Sequence, residues 1–442
     1  MNNQSIEQYV NNIIENSYLA QKTFEMVNNE IIDDLITDIV NSFSDNLSYW
    51  AVEEFHSSKI GNINDKIHKL GLVTKNIYND IHKEVMNGFL AEGTNLLEYA
   101  SPVGIIFGIV PLTNPVPNSL FKILLSLKTK NSLVLSFPRK ASELGVRVIE
   151  TVIQSIKKFN LPENIIQVID VPSRDCSQMI MESKKVSLIL ATGGSSLVHQ
   201  ANKSGQPVFG VGPGNVPVFI GNSADLKLAA KNIVDGKKYD NGIVCGSESN
   251  IIISKNNYID FVKYLELNNS LIFSGEELDK IIYKIFDKDS LNLKPEYIGL
   301  DANKILDKIG YKYDSYVSII VLRDLNNKYS FIYNEKLVPI LSISTVEDSS
   351  GIELAQRLIQ KGGRGHTAVI HSNDEIEIQE FAAKLDAGRI FINMPATHGM
   401  LGITSYLPLS FMQGSGTWGK NTSTAPLTWR DLVNIKRVSV PR

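Results

Sequence analysis

One cysteine lies among small and turn-forming residues, in a setting that suits a nucleophile. Cys245 stands between Gly242 and Gly246, shortly before an apolar run with the pattern of a strand. Glycine lets the backbone turn sharply and lets a substrate approach closely. The nearby Lys237 and Lys238 could favour the thiolate, which is the reactive form of cysteine. The pattern is therefore compatible with covalent catalysis by Cys245, and a buried structural thiol is the alternative.

The composition is that of an ordinary globular protein and excludes several classes of partner. The chain has 442 residues, of which 43% are hydrophobic and 21% charged, and this length allows two or three domains. A net charge of −3 argues against nucleic acid and against a polybasic membrane contact. No apolar run approaches the roughly 18 residues that a membrane span needs. Two cysteines and an N-terminus without a signal-peptide pattern predict a cytoplasmic protein.

The seven histidines lack the spacing of a metal site, but one of them has a setting that suits proton transfer. His366 and His371 are five residues apart, and a strand is predicted between them, so we expect no bound metal. His366 follows Gly363 and Gly365 in a loop. Because the unperturbed pKa of histidine is about 6.5, His366 could act as a general acid or base. A structural histidine is the alternative.

The order of helical and strand patterns indicates an α/β protein. Apolar residues recur at helical spacing through most of the first 86 residues. A small hairpin is predicted at residues 87–101. From Gly104 onward, nearly continuous apolar runs alternate with helical segments, which predicts a parallel sheet covered on both faces. A second alternating region follows over residues 249–410, and a terminal strand is predicted at residues 432–440.

Ligands on a parallel sheet bind beyond the carboxyl ends of its strands, and three such ends carry candidate residues. These ends are residues 111–115, 136–139 and 192–196. The turn at residues 192–195 could offer backbone N–H groups to a phosphate, and a plain tight turn is equally compatible with the pattern. The glycine-rich stretch at residues 210–215 precedes a strand pattern, so it is not the dinucleotide-binding fingerprint that opens a helix.

Seven loops along the chain form a specific set when taken together and in order. They lie at residues 111–115, 191–194, 210–215, 239–245, 334–337, 362–367 and 414–419. These loops resemble those of the aldehyde dehydrogenase superfamily and, within it, its CoA-acylating branch. The chain is similar to the aldehyde half of bifunctional aldehyde/alcohol dehydrogenases and to CoA-dependent succinate semialdehyde dehydrogenases, and the resemblance covers essentially the whole chain.

The resemblance implies a particular α/β fold. It consists of a Rossmann-like cofactor-binding domain, a second α/β catalytic domain and a small β oligomerisation element. We expect residues 1–86 and 102–212 in the first, residues 213–420 in the second, and residues 87–101 with 421–442 in the third. The hairpin and the terminal strand of the third are expected to pair across subunits, because assembly removes open strand edges. The protein is therefore expected to be a homodimer or a higher homo-oligomer.

The resemblance also implies roles for individual residues. Cys245 would attack the aldehyde carbonyl, and Asn114 together with the Cys245 backbone N–H would stabilise the oxyanion. Without the family context, Asn114 is a turn residue before Pro115. Glu335 would hold the ribose beside the nicotinamide of NAD or NADP. The residues expected to bind this cofactor are Pro111, Thr113, Ser136, Pro138, Arg139, Thr192, Gly193, Gly194, Ser195, Gly212 and Glu335.

The stretch at residues 210–215 bears on how the product leaves the enzyme. Hydrolytic members of the family carry a glutamate general base in a Glu-Leu-Gly-Gly stretch, and the corresponding segment here has no carboxylate. Without that base water attacks slowly, and the more acidic and more nucleophilic thiol of coenzyme A can take the acyl group. His366 would then serve as the acid or base for the thiol protons. The resemblance thus implies a short-chain aldehyde and an acyl-CoA as substrates.

The sequence leaves the aldehyde and two other functions open. If Arg364 faces the active site, it would bind a carboxylate or sulfonate and favour succinate semialdehyde or sulfoacetaldehyde over acetaldehyde. Otherwise Arg364 is a solvated surface charge. One alternative function is that of a semialdehyde dehydrogenase that reduces an acyl phosphate. The other is that of a catalytically silent binding protein with the same fold.

Overall fold

The computed structural model describes residues 3–90, 96–170, 173–347 and 350–441, and these residues form three β-sheets. The strands are β1 (Gly88–Phe89), β2 (Leu96–Pro102), β3 (Ile105–Ile109), β4 (Ser132–Ser136), β5 (Ile166–Val168), β6 (Val186–Thr192), β7 (Val208–Val211), β8 (Val216–Ile220), β9 (Glu248–Ser254), β10 (Ser270–Ser274), β11 (Ile319–Arg323), β12 (Ile340–Val346), β13 (Thr367–His371), β14 (Arg389–Ile392) and β15 (Val433–Ser439).

Helices precede the sheets, cover them and connect their strands. The α-helices are α1 (Asn3–Phe24), α2 (Asn29–Ser44), α3 (Leu47–Ser58), α4 (Ile63–Gly71), α5 (Tyr78–Ile81), α6 (Pro115–Lys128), α7 (Ser142–Lys158), α8 (Arg174–Glu182), α9 (Ser195–Lys203), α10 (Leu226–Lys238), α11 (Lys255–Leu267), α12 (Gly275–Ile285), α13 (Ala302–Ile309), α14 (Gly351–Lys361), α15 (Glu375–Lys384) and α16 (Ala396–Met400). A π-helical turn at Leu72–Ile77 joins α4 to α5. The predicted alternation of strands and helices is confirmed.

The first sheet has the order β5-β4-β3-β6-β7, and all neighbouring strands are parallel. Its inner strands β3 and β4 are buried along their whole length, as expected for a sheet with helices on both faces. Residues of α2, α6 and α7 pack on one face, and residues of α1, α8 and α9 pack on the other. The strand order reverses between β3 and β6, so the crevice beyond their carboxyl ends is the expected ligand position.

The second sheet has the order β10-β11-β12-β9-β8-β13-β14 and is also parallel. It begins after a four-residue connection, since β7 ends at Val211 and β8 starts at Val216. The loops at its amino edge, which precede β9, β12 and β13, carry Cys245, Glu335 and His366. The functional loops of this sheet therefore lie before its strands, whereas those of the first sheet lie after its strands.

The third sheet has the order β1-β2-β15 and corrects one prediction. β15 pairs with β2 of the same chain, antiparallel, from Val433 opposite Pro102 to Ser439 opposite Leu96. The predicted pairing of these strands across subunits is therefore wrong. A buried hydrogen bond holds the chain beside β2 where β15 begins: the side-chain amide of Asn131 donates to the backbone carbonyl of the residue before β15 at 2.8 Å. Residues 91–95 of the hairpin predicted at residues 87–101 lie outside the described residues.

The N-terminal helices bury the apolar stripes that the sequence shows. In α2 the side chains at helical spacing, Ile32, Leu35, Ile36 and Ile39, are fully buried. Asn28 caps this helix, with its side-chain oxygen accepting from the N–H of the second helical residue at 3.1 Å. Over the part of the chain that the structure describes, no helix is both long enough and apolar enough to cross a bilayer.

Candidate active site

A cleft between the first two sheets brings together loops from both. It has a volume of about 260 Å³ and is mostly apolar. The first sheet contributes residues 111–114, 192–194 and Val211 at the end of β7, and the connection between the sheets contributes residues 212–213. The second sheet contributes residues 243–245 and Glu335. The cleft therefore lies where the carboxyl edge of one sheet meets the amino edge of the next.

Cys245 follows a turn of unusual backbone geometry. Asp240, Asn241 and Gly242 all have positive φ, at 46°, 53° and 70°. A Cβ at Gly242 would lie 2.5 Å from the carbonyl oxygen of Val338, so this position needs glycine for two independent reasons. Asn241 holds the turn by donating to two backbone carbonyls at 2.9 Å each. The half-buried Cys245 therefore enters the cleft from a rigid support.

The environment of Cys245 keeps its thiol protonated. Burial raises the pKa of Cys245 to about 12, and the negative charge of Glu335 adds to this, while Arg389 opposes it. The expectation that neighbouring lysines favour the thiolate is not met. Lys237 is buried and donates to the carbonyl of Lys336 at 2.9 Å, and Lys238 pairs with an aspartate on the surface. Loss of the thiol proton must therefore accompany attack on a substrate.

Asn114 lies at the carboxyl end of β3, where it precedes the first residue of α6. Its side-chain oxygen accepts a hydrogen bond from Thr113 Oγ1 at 3.2 Å, which orients the amide group and leaves its N–H donors for other partners. Asn114 and Cys245 line the same cleft. The arrangement can supply the two hydrogen-bond donors that an oxyanion needs, one from the amide and one from the Cys245 backbone.

Glu335 also lines the cleft and is held by backbone contacts. Its Oε1 accepts from the N–H of Gly214 at 2.9 Å. The next residue, Lys336, is fully buried and donates to the carbonyl of Asn334 at 2.8 Å. Burial raises the pKa of Glu335 to about 7. This carboxylate can therefore take up or release a proton near neutral pH.

His366 lies behind Gly214 and not in the cleft of Cys245. It lines an adjoining cleft together with Ser195 and Trp418. Its Nδ1 is 3.0 Å from Thr367 Oγ1, and its buried Nε2 has no hydrogen-bond partner among the described residues. Burial, with a contribution from a nearby arginine, lowers the pKa of His366 to about 3. The imidazole is therefore neutral at physiological pH.

Arg364 also lies outside the cleft of Cys245. Its side chain is half exposed, and its Nε donates to Asp386 Oδ2 at 2.8 Å. It lines the adjoining cleft with His366. Of the two alternatives that the sequence left open for Arg364, the structure supports the partly solvated charge, because its guanidinium pairs with Asp386 and does not line the cleft of Cys245.

The residues expected to bind a cofactor fall into three groups. Six of them line the cleft of Cys245 beside Glu335, namely Pro111, Thr113, Thr192, Gly193, Gly194 and Gly212. Ser195 lines the adjoining cleft. Ser136, Pro138 and Arg139 line neither cleft; Ser136 is buried, and Arg139 is exposed at the end of β4.

The first group leaves room for a ligand. A Cβ built on Gly194 or on Gly212 would touch no described atom within 4 Å. Gly194 directly precedes α9, and no side chain among the described residues caps the start of this helix, so its N-terminus can meet a phosphate. The residues of the cleft thus fit a dinucleotide that extends from the end of β6 toward Glu335.

The cleft contains polar residues that the sequence did not suggest. Lys69 of α4, together with Ser410 and Gln413 from the segment after α16, lines the wall around Cys245. The helical pattern around Lys69 predicts an apolar stripe that packs in the core. A charged residue within such a pattern does not indicate that its side chain lines a cleft. Among the described residues, no group of three or more His, Cys, Asp or Glu side chains could hold a metal ion.

Two curated proteins are similar to this chain over nearly its whole length. The aldehyde-alcohol dehydrogenase of Clostridium acetobutylicum is 33% identical over 434 residues, which cover 96% of this chain and 50% of that protein. The chain thus spans about half the length of this relative. The succinate-semialdehyde dehydrogenase (acetylating) of Clostridium kluyveri is 31% identical over 441 residues, which cover 98% of this chain and 96% of that protein.

The solved structures and the family comparison agree with these relatives. The crystal structure of an acetylating aldehyde dehydrogenase from Geobacillus thermoglucosidasius superposes with a TM-score of 0.93 at 30% identity, covering 99% of this chain and 98% of that one. Residues 32–406 match the aldehyde dehydrogenase family. The cleft therefore has the setting, the cysteine and the overall fold of one known group of enzymes, and the chain belongs to the aldehyde dehydrogenase family.

Proposed function

We propose that the protein is a CoA-acylating aldehyde dehydrogenase that uses NAD or NADP. The observation that carries this proposal is the wall of the cleft at residues 211–213. This wall consists of a valine, a glycine and a proline, and it comes from the segment where hydrolytic relatives carry their general base. Cys245 and Asn114 line the same cleft, so the groups for acyl transfer are together while a carboxylate in this wall is missing.

The chemistry follows from the positions of these groups. The sulfur of Cys245 attacks the aldehyde carbonyl, and the amide of Asn114 and the Cys245 N–H stabilise the oxyanion of the thiohemiacetal. Loss of a hydride from the thiohemiacetal carbon re-forms the carbonyl and leaves the acyl group as a thioester on Cys245; a bound nicotinamide would supply the acceptor for this hydride. Glu335 and the residues at 192–194 would hold this cofactor. Glu335 lines the same cleft as Cys245, and burial raises its pKa to about 7, so its carboxylate is the candidate acceptor for the thiol proton of Cys245.

The adjoining cleft suits the second substrate. His366 is neutral, and its Nε2 is without a partner among the described residues. In the tautomer whose Nδ1–H donates to Thr367 Oγ1, this Nε2 can accept a hydrogen bond from the thiol of coenzyme A. Gly214 separates this histidine from the backbone of Cys245. Attack of the thiol on the Cys245 thioester releases the acyl-CoA and returns the thiol of Cys245.

The dependence on coenzyme A tests the proposal. With an aldehyde and NAD or NADP but without coenzyme A, we expect one equivalent of reduced cofactor per active site, followed by arrest. Coenzyme A should restore continuous turnover, and phosphate should not; both are read from the absorbance of the reduced cofactor. Turnover with phosphate would favour the acyl-phosphate alternative, and turnover with neither would indicate a hydrolytic enzyme. The absence of any reduced cofactor would favour a silent binding protein.

The charges of the cleft favour an uncharged short-chain aldehyde. Lys69 is the cationic side chain among the described residues that line it, and Asp240 neutralises its charge. Arg364, which could have bound a carboxylate or sulfonate, lies outside. In the same assay, kcat/KM for acetaldehyde should exceed that for succinate semialdehyde and sulfoacetaldehyde about tenfold or more, because an unpaired anion would be desolvated there. A preference for either anion would contradict this.

We extend the proposal to assembly, compartment and domain division. Among the described residues, no strand pairs with the outer edge of β1 or of β15, and Phe89, Leu96 and Val438 are exposed on the third sheet, which supports a homodimer or higher homo-oligomer. Light scattering at micromolar concentration should show more than one chain per particle, and a monomer would contradict this.

Both cysteines are free thiols, in keeping with a cytoplasmic protein. The two parallel sheets support a boundary between cofactor-binding and catalytic domains at about residue 212, although Phe411 and Met412 pack in the core of the first sheet.

A further inference from the structure

A buried ionic cluster lies directly behind the two loops that supply the oxyanion donors. Its members are Glu54 of α3, Lys66 and Lys69 of α4, and Asp240 of the turn before Cys245. None of their side chains is more than 1% exposed. Buried charges of this kind are costly unless they are paired, and breaking one pair leaves the other charge without compensation. The cluster therefore holds in place the backbone segments with which it forms hydrogen bonds.

Glu54 attaches the cluster to the loop of Asn114. Its Oε2 accepts from the backbone N–H of Val116 at 2.9 Å, which is in the first turn of α6, two residues after Asn114. Its Oε1 accepts from Lys66 Nζ at 2.8 Å. Lys66 Nζ also donates to the carbonyl of Thr113 at 3.4 Å, one residue before Asn114. Asn114 is thus held on both sides by one ion pair.

Asp240 attaches the same cluster to the loop of Cys245. Its carboxylate is 3.8 Å from Lys66 Nζ and forms a second ion pair with Lys69. Its Oδ1 accepts from the N–H of Asn62 at 2.6 Å, at the start of α4, and its own N–H donates to Asp65 at 2.8 Å. Because Asp240 has a positive φ of 46°, these contacts hold a backbone conformation that few residues adopt on their own.

Lys66 contacts both Glu54, which holds the loop of Asn114, and Asp240, which holds the loop of Cys245. Asn114 belongs to the first sheet and Cys245 to the second, so their separation depends on how the two units meet. We propose that Lys66 is a positioning residue that sets the distance between Asn114 and Cys245, and hence the geometry of the oxyanion site. The inference rests on the proposed function for its kinetic consequence but not for the arrangement itself.

The kinetic test replaces Lys66 by methionine, which keeps most of its volume. The burst of reduced cofactor without coenzyme A counts the active sites by its amplitude, and its rate reports the chemistry. We expect Lys66→Met to lower the burst rate per active site about tenfold to hundredfold, because small misplacements of reacting groups cost this much. The KM for the cofactor should stay within about twofold. A burst rate equal to that of the wild type would overturn the proposal.

A double-mutant cycle separates positioning from a general loss of structure. If Lys66 acts through Asn114, then Asn114→Ala with Lys66→Met should be at most about threefold slower than Asn114→Ala alone. Full multiplication of the two effects would overturn the proposal. The matched control is Lys128→Met, which breaks the largely buried ion pair of Lys128 with Asp33 at the far end of α6; neither residue lines the cleft. An equal loss of rate in this control would also overturn it.

Two further measurements keep the test decisive. If Lys66→Met does not fold, Glu54→Gln keeps the shape of the cluster and removes one charge, and we expect its burst rate to fall about threefold to tenfold, again without adding to Asn114→Ala. If the wild type gives no burst, the proposed function fails, but alkylation of Cys245 by iodoacetamide needs no cofactor. We then expect Lys66→Met to change the alkylation rate at least about threefold, and an unchanged rate would overturn the positioning role.

Discussion

Replacing Cys245 by alanine will abolish aldehyde-dependent reduction of the cofactor in both directions of the reaction, while Cys176→Ala will keep kcat within about twofold. Loss of a nucleophile that forms the covalent intermediate removes about 10⁴-fold or more of the rate. Cys176 lies in α8 and is 2% exposed, with a pKa raised to about 11 by burial and by the charge of Asp170. It therefore contributes packing and no chemistry. Steady-state rates, with circular dichroism as the control for folding, would check this.

The pH dependence of alkylation provides an independent check on Cys245. A raised pKa means that the thiol is neutral at pH 7 and that the reactive thiolate fraction grows with pH. Because the pKa of Cys245 is about 12, alkylation by iodoacetamide without cofactor should rise roughly tenfold per pH unit from pH 7 to 9, with no plateau. A plateau near neutral pH would contradict the raised pKa of Cys245, and equal loss of activity in the Cys245 and Cys176 variants would contradict the assignment of the nucleophile.

The fold could be predicted from the sequence because the pattern of its strands is unambiguous. Strands β3, β4, β6, β8 and β9 are short apolar runs separated by helical patterns, and strands buried on both faces need no alternation of polar and apolar residues. The strand after the glycine-rich stretch at residues 210–215 was likewise predictable from its apolar run. The partner of β15 was not predictable, since an open edge can be covered by the same chain or by a second copy.

The site was predictable only as far as its loops. Cys245, Asn114 and Glu335 lie in loops with distinctive glycine, proline and asparagine patterns, and these loops meet in one cleft. What each charge does depends on partners that are distant in the sequence. Lys237 was expected to favour the thiolate of Cys245 but instead donates a hydrogen bond to a backbone carbonyl. Lys69 lines the cleft although it belongs to a helix near the N-terminus. Contacts of this kind follow from packing, which a single sequence does not specify.

Gly214→Ala is expected to have the second largest effect. A Cβ at Gly214 would lie 2.0 Å from the carbonyl oxygen of Cys245 and 3.3 Å from Nδ1 of His366, and the N–H of Gly214 binds Glu335. Heavy atoms do not approach within 3.0 Å in such contacts, so the Cys245 carbonyl must move by about 1 Å. We expect kcat to fall about a hundredfold or more, because a shift of this size misplaces both the sulfur and the backbone donor of the oxyanion site.

Gly212→Ala is the matched comparison in the same loop. A Cβ at Gly212 meets no described atom within 4 Å, and neither glycine has a left-handed φ, so the two substitutions differ in steric contact and not in backbone strain. Because Gly212 faces the space proposed for the cofactor, Gly212→Ala should raise the KM for NAD or NADP and keep kcat within about threefold. Thermal unfolding of both variants would control for stability. If Gly214→Ala keeps kcat within threefold of the wild type, the backbone of Cys245 does not need the position that the structure gives it, and the oxyanion site must be built from other donors.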